Sequence, residues 1–235
     1  MTYLWAAATH IGLHRTQNQD AAFPEGAGTE SGPFIAAVAD GMGGHTGGEV
    51  ASRLALQAAV AGDVSVPNRL ASANTAVVEG VIEEPALAGM GTTLTLGAFG
   101  ENGKLEIGHV GDSRAYVLHE GELVQLSHDH TLVAELLAAG RIRAEDVRGH
   151  PQRNLLTRSL GMAQAIEIDS VELELEPGDR VLLCSDGLTT MLTDAEITKI
   201  LKKGVPEETA WNLVEAANNA GGFDNVTVVI VDFQA

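Results

Sequence analysis

The chain has 235 residues, 45% of them hydrophobic, and 32 acidic side chains against 14 basic ones give a net charge of −18. Its length suits one domain with a substantial core, and its apolar content excludes a disordered or fibrous chain. A balance this acidic is wrong for gripping a phosphate backbone, so no nucleic-acid partner is expected.

Taken in order, the segment around His10 and His14 reads as strand and loop, and 34–41 as a strand that delivers Asp40 to its end. A helix is expected over 47–62 with Val50, Leu54 and Ala58 on one stripe, and another over 67–83 with Leu70, Asn74, Val77, Val78 and Val81. Residues 92–96 and 105–110 alternate about a polar 101–104 turn, and 115–118 and 123–126 flank a second turn, so two hairpins are expected. A helix over 131–139 stops at Gly140. Residues 171–175 alternate, whereas 180–184 and 226–231 are nearly continuous apolar runs, as in strands covered on both faces. Thr193 and Glu196 form a capping box for a helix to Leu201. Pro206 opens a last helix that carries Trp211, Val214 and Ala217 at helical spacing.

Strands in hairpins and helices in separate pairs give an α+β fold, predicted as a four-layer α-β-β-α sandwich of two mainly antiparallel sheets. Without a repeat, low-complexity tract or linker, residues 1–235 are read as a single domain. No apolar run approaches the roughly 20 residues of a membrane span. No basic leader precedes the apolar stretch over 1–12, so a secretory signal is not expected. The lone cysteine, Cys184, rules out an internal disulfide and fits a reducing cytoplasm. It ends an apolar strand with no activating base in view, so burial rather than nucleophilic chemistry is expected.

Five blocks place an aspartate at a turn, most of them beside glycine or asparagine: 15–20 with Asp20, 40–44 with Asp40, 111–114 with Asp112, 185–187 with Asp186, and 222–225 with Asp224. Any one of them is an ordinary turn signal. Spread along the chain and tied to strands, together they read as one assembled site for hard divalent cations, which take carboxylate oxygens held by rigid strand ends.

In order, Arg-x-x-Asn-Gln-Asp, Asp-Gly-Met-Gly-Gly, Gly-Thr-Thr, Gly-Asp-Ser-Arg, Asp-His, Leu-Thr-Arg-x-Leu-Gly, Ser-Asp-Gly-Leu and Asp-Asn-Val-Thr resemble the signature series of the protein phosphatase 2C family, bacterial type, over 10–233. The resemblance implies a metal-dependent phosphatase that hydrolyses phosphoserine and phosphothreonine by attack of a metal-bridging water. It implies two Mg²⁺ or Mn²⁺ ions and a weaker third. Asp40 would bridge the pair, with the Gly41 carbonyl on one ion and Asp186 and Asp224 on the other. Asp20 would reach the cluster through waters, Asp112 would share the third ion with Asp186, and Arg15 would hold the phosphate. The implied partners are phosphorylated proteins, a Ser/Thr kinase and its substrates, met by a cytoplasmic monomer with no membrane contact. The alternative is an inactive phosphoprotein-binding regulator of the same fold.

Met42 stands where some relatives place a histidine acid, which leaves His45 as a candidate against the plainer reading of a loop histidine. Gln19 stands where some relatives have glutamate, so a direct side-chain ligand there is in doubt. Asp129 and His130 are read as structural, ahead of a flap-like segment over 131–161. Its five arginines, Arg141, Arg143, Arg148, Arg153 and Arg158, either balance nearby acids or steer phosphorylated substrate inward.

Overall fold

The computed structural model describes residues 1–44 and 46–235. One six-stranded antiparallel sheet runs β3 (Ala27–Glu30), β1 (Thr2–His10), β12 (Val226–Gln234), β11 (Arg180–Cys184), β8 (Arg114–His119) and β9 (Glu122–Gln125). The second runs β10 (Asp169–Glu174), β7 (Lys104–Val110), β6 (Leu94–Phe99), β4 (Phe34–Met42) and β2 (Asp20–Phe23), with the short β5 (Gly91–Thr92) pairing β4. The helices are α1 (Gly47–Val60), α2 (Val66–Glu83), α3 (Leu132–Ala138), α4 (Ala144–Val147), α5 (Asp186–Thr189), α6 (Asp194–Leu201) and α7 (Pro206–Asn219).

Strand β12 shows why its sequence is nearly all apolar. Val229, Val231 and Phe233 point between the sheets with Val38, Ile107 and Leu183. Val226, Val228 and Ile230 point the other way, against Ile197, Leu213 and Val214 of α6 and α7. Period-two alternation therefore buries both faces. The outer face of the second sheet packs Ala37, Ala39, Leu94 and Leu96 on Ala51, Ala55, Leu70 and Val77 of α1 and α2. Helices, sheet, sheet, helices is the predicted layer order.

Both expected hairpins form, β6 with β7 and β8 with β9, as does the Thr193–Glu196 capping box. Three local expectations are corrected. The buried stripe of α1 is Ala51, Ser52, Ala55, Leu56 and Ala59, turned from the Val50–Leu54–Ala58 row. Small residues on that face let the helix approach β4 closely: a Cβ on Gly41 would collide with the Gly48 carbonyl. On α7, Trp211 is half exposed, and Ala210, Leu213, Val214 and Ala217 face the sheet. The expected 92–96 strand is divided at Thr93, which turns to bond Asp40 instead.

Register places the loops that matter at one end. The end of β4 lies beside the start of β2, with Asp20 opposite Asp40. The antiparallel order of β4, β6 and β7 brings the end of β7, and so Asp112, to that end as well. In the other sheet, Cys184 opposite Val228 and His10 opposite Val226 bring Asp186, Asp224 and the loop carrying Arg15 there.

Candidate metal centre

The five aspartates and Arg15 lie at this end. Asp40 feels the charges of Asp20, Asp186, Asp112 and Asp224, and burial together with these neighbours holds its carboxyl well above the usual range. Burial raises Asp20 to about 7, against a hydrogen bond from Ser185, with Asp186 and Asp224 adding to the rise. Burial and then Asp224 raise Asp186 to about 6, although the Asp40 side chain hydrogen-bonds it. Two carboxylates that close share a proton or a cation. Burial and then the charge of Asp186 raise Asp112.

The donor set suits hard cations. The Oδ1 atom of Asp20 is buried without a partner, and five mutually repelling carboxyls at a strand-end rim are a cost that divalent ions offset. Among the described residues no three His, Cys, Asp or Glu side chains close into a compact ligand group. An open carboxylate set fits Mg²⁺, which keeps several of its waters. Position 41 has room only for glycine. It is required by the backbone of α1 and by the Gln19 carbonyl, each of which a Cβ would strike.

Arg15 Nη2 donates to Asp224 Oδ2 at 2.6 Å, with half of the arginine side chain exposed. The remaining guanidinium donors are available to an anion beside the carboxylates. Their supports are hydroxyls and amides that carry no sequence period. Ser185 Oγ donates to Asp20 Oδ2 at 2.7 Å and accepts from Thr227 N. Asn225 Nδ2 donates to the carbonyls of Ile11 and Gln17, and its Oδ1 accepts from Gln19 N, clasping the Arg15 loop to Asp224. Thr93 Oγ1 accepts from Asp40 N at 2.9 Å and bonds Ser113 Oγ at 2.7 Å, tying the Asp40 and Asp112 turns together. The Gly-Thr-Thr, Ser-Asp-Gly and Asp-Asn blocks in the sequence were the available signal for these residues.

Asp129 pairs with Arg114 at 2.6 Å, and His130 Nδ1 accepts from Gly111 N at 3.0 Å, so both residues serve the Asp112 turn structurally, while His128 is exposed. His45 lies outside the described residues. The flap arginines divide. Arg143 and Arg158 pair with acids, whereas Arg148 and Arg153 line a cleft of about 300 Å³ shared with Asp112 and Asp186. Cys184 is buried and its thiol is pushed up to about 12. Cys184→Ser is therefore expected to keep kcat within about threefold, since a protonated thiol is no nucleophile. A loss on the order of 10³ in a folded variant would assign the cysteine a chemical role.

Carboxylates meeting at the edge of a two-sheet sandwich, with an arginine beside them, are a donor set suited to hard divalent cations. Residues 10–216 match the family described as Protein phosphatase 2C, and the chain belongs to that family. It is 40% identical to the serine/threonine protein phosphatase PstP of Mycobacterium tuberculosis over 97% of its own length, and spans 44% of that relative. It is 38% identical to the protein phosphatase PhpP of Streptococcus pneumoniae, covering 95% of this chain and 94% of that one. The crystal structure of the M. tuberculosis phosphatase PstP/Ppp superposes with a TM-score of 0.91 at 39% identity over 100% of both chains. The PstP catalytic domain in complex with two manganese ions superposes at 0.88, with 38% identity and 100% of both chains covered.

Proposed function

We propose that residues 1–235 form one catalytic domain that dephosphorylates phosphoserine and phosphothreonine in proteins with two bound Mg²⁺ or Mn²⁺ ions. The observation that carries this reading is the meeting of Asp20, Asp40, Asp112, Asp186 and Asp224 around one another, with Arg15 at their edge. Asp40, the Gly41 carbonyl, Asp186 and Asp224 would hold the two ions, with Asp40 shared between them. Asp20 would support that cluster through water, and Asp112 with Asp186 would hold a weaker third ion. When bound, the ions acidify a water and offset charge on the transferring phosphoryl group. Arg15 orients the phosphate through its fork of donors. Met42 has no acidic proton to give the leaving oxygen.

The segment over 131–161 acts as a flap beside the cleft, where Arg148 and Arg153 favour anionic substrate in an otherwise acidic protein. The partners are phosphoproteins, among them a Ser/Thr kinase and its targets. A lone buried cysteine fits a reducing cytoplasm, and no described helix is long and apolar enough to cross a membrane.

The deciding measurement is phosphate release from phosphoserine and phosphothreonine peptides with Mn²⁺ or Mg²⁺, before and after chelation. Activity that survives exhaustive chelation rejects the metal mechanism, and peptide binding without turnover makes the chain a phosphoprotein-binding regulator. Arg15→Ala should lower kcat/KM roughly ten- to hundredfold, mainly through KM, since a hydrogen bond to a charged group is worth about 1.5–3 kcal/mol. Unchanged kinetics would remove Arg15 from the phosphate site.

A further inference from the structure

The residues that immediately adjoin Arg15 and Asp224 form an exposed apolar ledge that the chemistry above does not use. The His14 and Phe223 rings stack, with centroids 4.9 Å apart and an interplanar angle of 24°. Phe223 is 59% exposed and Leu13 63% exposed. Large apolar side chains left together in water are a cost that a binding role explains.

The ledge is built rather than loose. Leu13 N donates to the Gly222 carbonyl at 2.7 Å, which joins the two loops that carry it. Gly12 has φ +82°, and any side chain there would strike the Asp224 carbonyl, so glycine lets the loops close. Phe223 also walls the cleft that contains Asp112, Asp186 and Met191. One ring thus stands beside Asp224, which Arg15 pairs with, and on the wall of the cleft that holds Asp112 and Asp186.

We propose that the His14–Phe223 ledge binds an apolar side chain flanking the phosphorylated residue, so that this phosphatase selects phosphopeptides with leucine-like or aromatic neighbours. The proposal rests on the phosphatase reading of the same site. A peptide whose phosphate sits at Arg15 has its next side chain within reach of residues 14 and 223. Burial of an apolar side chain on an aromatic face supplies the discrimination.

The test uses two phosphothreonine peptides of equal charge, with leucine or glycine on both sides of the phosphoresidue. The protein should favour the leucine peptide by about tenfold in kcat/KM, mostly through KM. In Phe223→Ala that ratio should fall to near one, and Phe223→Leu should restore most of it. Anisotropy with the matching non-hydrolysable phosphonate peptides should give the same order of dissociation constants. A ratio near one in the unmodified protein, or a ratio retained in Phe223→Ala, overturns the ledge. Should neither peptide turn over, the phosphatase reading fails, and the phosphonate binding ratio still decides the ledge alone.

Discussion

Asp40→Asn is expected to lower turnover on the order of 10³-fold or more and, in the presence of chelator, to raise the melting temperature. The two effects have one origin. The Asp40 carboxyl is held well above the usual range by burial and by the charges of Asp20, Asp186, Asp112 and Asp224. A carboxyl whose folded pKa is raised destabilises the fold at neutral pH, and the penalty fades as pH falls toward the unfolded value. Asparagine keeps the shape, removes the charge and can donate to Asp186. Its backbone bonds to Thr92 and Thr93 do not depend on the side chain. Catalysis would lose the ligand proposed to be shared by both ions, and losing one preorganised electrostatic partner alone costs about 10²–10³. Saturating Mn²⁺ should invert the order of stability, because a ligand at a hundred times its dissociation constant adds about 2.7 kcal/mol to the protein that binds it well. Scanning calorimetry with and without metal checks both signs. A chelated variant that melts below the unmodified protein would show that Asp40 is no electrostatic burden.

The aspartates were legible because each is announced by glycine or asparagine at the end of an apolar run, and strand registers could bring such ends together. The residues that aim them were visible only as members of short motif blocks, without a role. Ser185, Thr93, Ser113 and Asn225 act through single hydrogen bonds across long sequence separations, and no periodicity marks such partners. The same limit applies to the fold. Strands β11 and β12 could be read because both of their faces are buried, giving continuous apolar runs. Strand β2, Asp-Ala-Ala-Phe, lacks β-branched residues and exists through its pairing with β4. The stripe of α1 was misplaced because its contact face is built from alanine and glycine, which hydropathy weighs little and close packing requires.

The network behind Asp112 yields a pH dependence with a definite sign. His109 is buried, and its Nε2 lies 3.0 Å from the His128 carbonyl, an acceptor only, so Nε2 carries a proton. Its Nδ1 lies 2.9 Å from Thr95 Oγ1 and accepts that hydroxyl's proton in the neutral ring. Burial, with the nearby His130 adding to it, lowers His109 to about 4. Above the unfolded value of 6.5 both states are neutral and no penalty exists. As pH falls from 6.5 toward 4, the unfolded chain takes up a proton that the folded chain refuses, so stability is lost across that window. Between pH 7 and 4.5 this amounts to about 2–3 kcal/mol, from 1.36 kcal/mol per pKa unit. The carboxylate cluster works in the opposite direction over the same range, so total stability does not isolate the histidine. The comparison is therefore between the unmodified protein and His109→Gln, which keeps a donor and an acceptor but cannot titrate. Urea unfolding in chelator at the two pH values should show the unmodified chain losing about 2–3 kcal/mol more than the variant. Parallel losses would mean that His109 is already protonated in the fold, and that the bond to His128 is made by an imidazolium.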